Sequence, residues 1–588
     1  MTNPLTLARV PQPARWLVNS LSRLPVLCRW YDEWLSGDGG DANDFLNYTL
    51  DKTGVNFDVV NEAVLSVLPN ADSAKKEPLI IVANHPLGGL EGMLLSRLLL
   101  QYRKDLKVLT NEMLLSFKEF NDLFIGVDVL NPNKQAQNAK GMRQVAKHLS
   151  TGGALLVFPS GTVARMTRNN WAVTEAPWQD IVGRLALKYK ATCLPIYVSG
   201  KNSKLFYLSG LVHPRLRTLL LPRAMISKKG EVVRAIVGKP LALAAEDLTP
   251  EAATDYLRLQ CELLAETDAP MANNHALTNI AVTNAEQRAS AEQHLAQRAC
   301  DCIVRRGELA VYCLAYDALG PLRTVLANER EKTFRAAGEG TGRACDQDRF
   351  DPLYHHIVAW DHSAQQLVGS YRAANVANVV AEAGLKGLYS YSLFAYDQRF
   401  LASLGGSIEV GRSFVTQGYQ NNSNALDLLW CGLGGFMLRN PECHTFFGCV
   451  SISQAFAPVV RALLVDTLMT KHAADDNTRT LVKAHMPVAL KEKFWSDELI
   501  ESMASMTAIN KLLGRANYQF RVPALIRHYL ALKGRFIDFS VNTQFSHSMD
   551  GLIYVDLRKT PPRYLKRYLG VEGARFFQTR WNCLAGAA

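Results

Sequence analysis

Between Leu79 and Leu243, short apolar runs alternate with helical patterns, and no other feature narrows the possible folds so far. LIIVANHP (79–86) reads as a strand running into a loop, and EGMLLSRLLLQY (91–102) as a helix. LKVLTNE (106–112) is a second strand. AKGMRQVAKHLSTGG (139–153) is a helix closed by glycines, followed by the strand ALLVFPSG (154–161). WQDIVGRLALKYK (178–190) is another helix, ahead of the strand ATCLPIYVSG (191–200). Such alternation predicts an α/β layer whose functional residues sit where strands empty into loops.

At 588 residues the chain exceeds what one hydrophobic core usually holds, so at least two domains are expected. Composition shifts to Ala, Asn, Thr and Glu between about Glu266 and Gln293, which places a connector there. The expected division is residues 1–268, a linker over 269–297, and residues 298–588. In the second part ELAVYCLAYD (308–317) reads as a strand and the stretch through Ala337 as a helix. LYHHIVAWD and QLVGSYRAANV form a hairpin, SIEVGRSFV a strand, ALDLLWCGLGGFMLRN a helix and TFFGCVSIS a strand. A second α/β domain, unrelated to the first, is the expectation.

The sharpest local feature is Asn84-His85-Pro86-Leu87-Gly88-Gly89-Leu90-Glu91-Gly92. Acyl transfer to a hydroxyl needs a base that takes the proton as the oxygen attacks a thioester. A histidine suits that task near neutral pH, and a carboxylate can fix its tautomer. The glycines allow a turn tight enough for His85 and Glu91 to converge. A single histidine beside an acid is often only structural, and context weighs against that here: Phe158-Pro159-Ser160-Gly161-Thr162 follows, with Arg165 and Arg168 behind it, then Leu194-Pro195-Ile196-Tyr197-Val198. In order and spacing, residues 60–245 resemble the glycerophosphate and lysophospholipid acyltransferase family, in its haemolysin-like branch. The resemblance implies that His85 is the general base and Glu91 its partner, with Asn84, Gly161 and Thr162 at the acceptor site. Two departures stand out. The acid falls one place later than in the family's His-x4-Asp box, where Leu90 stands. Ser160 and Val163 replace the Glu and Arg of its FPEGTR-type loop. Without that arginine the implied acceptor lacks a glycerol phosphate, and Arg165 is the arginine left to contact a carboxylate.

A second constellation follows: Val368-Gly369-Ser370-Tyr371-Arg372, Glu409-Val410-Gly411-Arg412-Ser413 and Phe447-Gly448-Cys449-Val450-Ser451. An α-amine must be neutral to attack a thioester, and Glu409 could take its proton directly or through water. Arg372 and Arg412 are candidates for a carboxylate or a pantetheine phosphate. The alternative is a structural ion pair between Glu409 and Arg412 at a strand end. Most of residues 300–570, including PPRYLKRY near the end, is similar to the ornithine N-acyltransferase branch of the GNAT superfamily, which draws 3-hydroxyacyl chains from acyl carrier protein. Gly411 and Gly418 flank Arg412 but no Gly-x-Gly follows, which favours acyl carrier protein over coenzyme A as donor. No bound cofactor is implied.

The two resemblances together imply a bifunctional ornithine lipid synthase. The second domain would N-acylate ornithine or a similar amino acid with a 3-hydroxyacyl chain, and the first would O-acylate the hydroxyl so delivered. The alternatives are a lysophospholipid acyltransferase fused to an N-acyltransferase for another amine, and a membrane-associated binding protein with decayed sites. Net charge of +11 favours an acidic partner, either anionic lipid or carrier protein. No nucleotide-binding glycine loop or metal-ligand cluster is evident, and nucleic acid is not expected as a partner. The 11 cysteines lack a CxxC pair, and MTNPLTLARVPQPARW lacks an apolar signal core. Reduced thiols on the cytoplasmic side, peripheral on the inner face of a bacterial membrane, are the expectation. Residues 14–35 and 205–223 mix apolar and basic groups and are candidates for membrane contact or for ordinary packing.

Overall fold

The computed structural model describes residues 19–37, 39–68, 77–127, 135–167, 171–266, 279–420, 423–490, 493–503, 506–516 and 521–581. The chain forms two compact units. The first comprises residues 1–269 together with 494–520, and the second residues 270–493 with 521–588. Residues 494–520 fall within the stretch that the sequence reading placed in a single second domain, yet they pack with the first unit.

The first unit is built on a sheet of β1 (Asn56–Val60), β2 (Leu79–Ala83), β3 (Lys107–Asn111), β4 (Phe124–Val127), β5 (Ala154–Val157), β8 (Thr192–Val198), β9 (Val232–Val237) and β10 (Leu241–Ala242). A small hairpin, β6 (Arg165–Met166) with β7 (Val173–Thr174), stands apart from it. Strand order is β1-β9-β8-β2-β5-β3-β4, with β10 also pairing β8. All neighbours are parallel except β8 with β9 and β8 with β10. β2 lies at the centre, and all five of its residues are buried, as expected of a strand covered on both faces. Because β5, β2 and β8 run in parallel, their C-terminal ends share one edge, with Val82 opposite Val157 and Ala83 opposite Ile196. The loops starting at Asn84, Phe158 and Ser199 therefore leave the sheet side by side.

The helix Gly89–Leu99 follows β2 and buries Leu90, Leu94, Leu95 and Leu98, the spacing of one helical face. The helix Pro250–Ala265 is capped by the Thr249 hydroxyl, which accepts from the Ala252 amide at 3.2 Å. It is buried on more than one face because the helices Asp497–Ser502 and Met506–Ala516 pack against it. Gln260 donates to the Leu512 carbonyl at 2.8 Å, Asp255 accepts from the Ser496 amide at 2.6 Å, and Phe494 lies under Arg258. The helix Leu24–Ser36, inside one of the two candidate membrane segments, packs on its own unit. Tyr31 is buried, and Trp34 donates to Glu119 at 3.1 Å; residues 14–18 lie outside the described part.

The second unit carries β11 (Cys302–Arg306), β12 (Leu309–Ala315), β13 (His355–Asp361), β14 (Gln366–Asn375), β16 (Ser407–Val415), β17 (Thr445–Ile452), β19 (Arg535–Asn542) and β20 (Ser548–Asp556). Their order is β11-β12-β13-β14-β16-β17-β20-β19. β15 (Phe394–Tyr396) and β18 (Val482–Ala484) form a separate pair. The large sheet is antiparallel except where β16 meets β17. Successive residues of β13 feed opposite layers. Val358 and Trp360 join the core under the helix Leu322–Ala336, whereas Ile357 lies against Gly432 of the helix Ser423–Arg439. The α/β class expected of both halves is what the chain adopts. Among the described residues no helix is long and apolar enough to cross a membrane.

Candidate active sites

In the first unit the chain leaves β2 at Asn84. The side-chain nitrogen of Asn84 donates to the Val198 carbonyl at 2.9 Å, and its oxygen accepts from the Val198 amide at 2.6 Å. Asn84 thus ties the ends of β2 and β8 together, a different use from the acceptor contact expected of it. His85 comes next. Its Nδ1 lies 2.8 Å from Glu91 Oε1, and its ring rests on Phe158 at 4.7 Å between centroids. The imidazole is 19% exposed while Glu91 is fully enclosed. Nδ1 is close to the acid although the two are not aligned as a regular hydrogen bond, and Nε2 is the nitrogen left to receive a proton from an acceptor.

Glu91 also accepts from the Leu87 amide at 3.0 Å and the Gly88 amide at 2.8 Å. These amides stand at the start of the helix Gly89–Leu99, where backbone donors lack intrahelical partners and a carboxylate is favoured. Gly88 makes the approach possible. Its φ is 103°, and a Cβ there would sit 2.6 Å from Leu221 Cδ2. The turn through Gly88 takes up the additional residue, so an acid one place late still meets the ring.

The loop after β5 closes over the same edge. The Gly161 amide donates to the Phe158 carbonyl at 2.9 Å, and the Ala164 amide to the His85 carbonyl at 2.9 Å, joining the two loops. Gly161 has φ 63°, which favours glycine. Thr162 Oγ1 is buried with no protein partner among the described residues, while Arg165 is exposed on β6. Arg168 lies outside the described residues.

Three further residues shape this edge and were not singled out from the sequence. Glu175 accepts from the His85 amide and, at 2.9 Å, from Trp178 Nε1; burial raises its pKa. Asn202 donates to the carbonyls of Pro86 at 3.2 Å and Leu87 at 3.3 Å, and Tyr207 accepts from its amide at 2.9 Å. The available signal was Glu-x-x-Trp, since a buried indole N–H requires an acceptor.

In the second unit β16 and β17 are paired in parallel over Ser407–Thr445, Ile408–Phe446 and Glu409–Phe447, and no further. Both strands continue, to Val415 and Ile452. On its other edge β16 carries one extra residue against β14, between Gly411 and Phe414, and Arg412 adopts φ 46°. This bulge re-aims a side chain where the parallel pair parts. Glu409, the last paired residue, is buried and fully engaged. Its Oε1 accepts from the Ser390 amide at 2.7 Å; its Oε2 accepts from the Tyr389 amide at 3.1 Å and from the Tyr354 hydroxyl. Burial raises its pKa.

Arg412 does not pair with Glu409. Its partners are Asp346 and Asp348, both at 3.3 Å, and its guanidinium lies over Phe545 and Tyr389. Arg372 pairs with Asp348 at 2.6 Å and Asp351 at 3.0 Å, and lies 4.9 Å from the centre of the Tyr354 ring. Arg330 completes the cluster, 2.9 Å from Asp351 and 3.2 Å from Asp346. Burial alone would raise the Asp351 carboxyl, yet Arg330 and Arg372 hold it well below the usual carboxylate range. Arg372 keeps Nε and Nη2 buried without a protein partner among the described residues. Both arginines named from the sequence are therefore here, but their acidic partners in CDQDRFDP were not read. That stretch has no periodicity to mark it. Nearby, Glu339 accepts from the Ser451 hydroxyl at 2.9 Å, and burial pushes its carboxyl up to about 8.

Three cysteines of this unit, Cys431, Cys443 and Cys449, are poor nucleophiles. Burial raises the thiols of Cys431, Cys443 and Cys449, to about 12 for Cys443, so thiolate is scarce at neutral pH. His356 is buried, bonded to the Asp351 carbonyl at 3.2 Å, and its pKa falls to about 4.

An acyltransferase family model matches residues 64–274, and an acetyltransferase (GNAT) domain model matches residues 330–431. Over 238 residues the chain is 28% identical to a glycine N(alpha)-acyltransferase of Phocaeicola vulgatus, covering 38% of this chain and 71% of that protein. Over 235 residues it is 26% identical to a lyso-glycine lipid O-acyltransferase of Bacteroides thetaiotaomicron, 37% of this chain and 83% of that one. Over 282 residues it is 28% identical to an L-ornithine N(alpha)-acyltransferase of Brucella abortus, 44% and 92% respectively.

Proposed function

We propose that this acyltransferase, which joins an acyltransferase domain to a C-terminal GNAT domain, assembles a two-tailed aminolipid in two consecutive steps. Its relatives are named for each step separately: transfer to the α-amine of glycine or ornithine, and O-acylation of a lyso-glycine lipid. The second unit would transfer a 3-hydroxyacyl chain from acyl carrier protein to the α-amine of an amino acid, ornithine by the resemblance of residues 300–570. Glu409, whose Oε2 accepts from the Tyr354 hydroxyl, would take the proton that the amine releases by relay through that hydroxyl or through water. Arg372, with two unpartnered nitrogens beside it, would hold the amino acid's carboxylate.

The first unit would then esterify the hydroxyl carried on that chain. The observation that supports this most directly is the His85–Glu91 contact of 2.8 Å at the strand edge. As the hydroxyl oxygen attacks the thioester carbonyl, His85 Nε2 takes its proton and Glu91 stabilises the imidazolium through Nδ1–H. Collapse of the tetrahedral intermediate breaks the C–S bond, and the proton passes from His85 to the departing thiolate. Joining both steps in one chain keeps the single-tailed intermediate near its second site.

Mass spectrometry of lipids from cells expressing the chain tests the whole reading. Wild type is expected to yield the two-tailed aminolipid, His85→Ala the single-tailed form, and Glu409→Gln neither. Unchanged lipid profiles in all three strains would overturn it.

A further inference from the structure

We infer that the helices Lys204–Val212, Pro214–Leu219 and Leu221–Ile226 form a docking surface for an anionic lipid bilayer, placed beside His85. The first of these helices is apolar on both sides. Phe206 and Tyr207 face inward with Leu220 and Ala224 to pack on Val163. Outward, Leu205, Leu208, Val212 and Leu216 are between 40% and 76% exposed. Scattered exposed leucines are ordinary on a protein surface, but four within twelve residues on successive short helices form a patch. The hairpin β6–β7 packs against the same helix, and Trp171 between its strands is 66% exposed. An indole of this kind is suited to the level of lipid headgroups.

Charge selects the occupant. From Lys201 to Gly230 the chain has seven Lys and Arg residues and no Asp or Glu. Lys201, Lys204, Arg215 and Lys229 are exposed. Apolar side chains ringed by cations of one sign match an interface of acyl chains beneath anionic headgroups, as for amphipathic helices that lie in the membrane plane. The surface also abuts the catalytic loop. Leu221 lies against Gly88, and Asn202, just before the first helix, holds the carbonyls of Pro86 and Leu87. A lipid acceptor with its tail in the bilayer would meet His85 at this border, so the inference rests on the first unit acting on a lipid.

Co-sedimentation of the full chain with vesicles tests it without reference to turnover. Wild type should bind vesicles of phosphatidylglycerol and phosphatidylcholine at least about tenfold more tightly than phosphatidylcholine alone. Leu208→Ser with Val212→Ser should weaken binding to both compositions. Lys204→Glu with Arg215→Glu should weaken binding to the anionic vesicles only, by about tenfold or more. Thermal melts and circular dichroism of both variants, measured without vesicles, should match wild type and so report that the first unit, which carries the substitutions, still folds. Binding by both variants equal to wild type, or no vesicle binding by wild type, would overturn the inference. So would sedimentation showing a dimer that the apolar pair of substitutions dissolves, since a second copy would then cover the patch. Vesicle binding without any acyl transfer would leave the surface standing and remove the proposed O-acylation instead.

Discussion

His85 is held at two points by two acids, Glu91 on the ring nitrogen and Glu175 on the backbone amide, and the two contacts have different consequences. Glu91→Gln keeps the shape and the contacts to Leu87 and Gly88 but removes the charge that favours an imidazolium. O-acylation should fall by about 10²–10⁴-fold in kcat, with KM little changed, when single-tailed substrate is supplied. A loss confined to KM would indicate that Glu91 only shapes the loop. Glu339 allows a prediction about pH. Its carboxyl is pushed to about 8 in the folded chain against an ordinary 4.5, so between those values the folded form holds a proton that the unfolded form has released. The stability of the second unit should therefore fall as pH rises through that window. Glu339→Gln should be more stable than wild type above pH 8, by on the order of 5 kcal/mol, with the gain vanishing below 4.5. Thermal melts of the two proteins across that range measure the difference; parallel curves would mean that Glu339 is already ionised in the fold.

Elements make clear which parts of the structure were readable and which were not. β2, β5 and β8 are continuous apolar runs between turn residues, so local pattern alone located them and the loops that follow. The convergence of His85 with Glu91 was readable through the glycines between them. The cluster of Arg330, Arg372 and Arg412 with Asp346, Asp348 and Asp351 was not, because it joins a helix, two strands and an irregular loop whose proximity depends on sheet order. Glu175 was missed for a similar reason: it reaches His85 across 90 residues of chain. Element ends also carry risk. Gly88→Ala would force φ 103° on a residue with a side chain and drive its Cβ into Leu221. The expected cost is about 1–3 kcal/mol in the first unit. O-acylation should drop further than that loss of folded protein explains, because the His85–Glu91 contact depends on this turn. Activity per folded molecule equal to wild type would show that the turn can relax.

At the scale of the whole molecule, the proposed function puts two chemistries on one chain, each open to removal by a single substitution. Mixing purified His85→Ala with Glu409→Gln supplies one intact site of each kind on different molecules. Two-tailed product should appear, more slowly than from wild type at equal concentration and increasingly as the proteins are concentrated, since the intermediate must travel between chains. A mixture that matches wild type when dilute would show that linkage gives no advantage.

The division of the first unit between residues 1–269 and 494–520 has a bearing on biosynthesis. About 225 residues separate the two parts, which at 5–20 residues per second is roughly 10–45 s of translation. During that interval the nascent chain presents the outer side of the helix Pro250–Ala265 uncovered, with Gln260 and Asp255 lacking the Leu512 and Ser496 backbone groups they later meet. Folding of the first unit must therefore wait for a late-emerging stretch, whereas the residues that carry His85 and Glu91 have already left the ribosome.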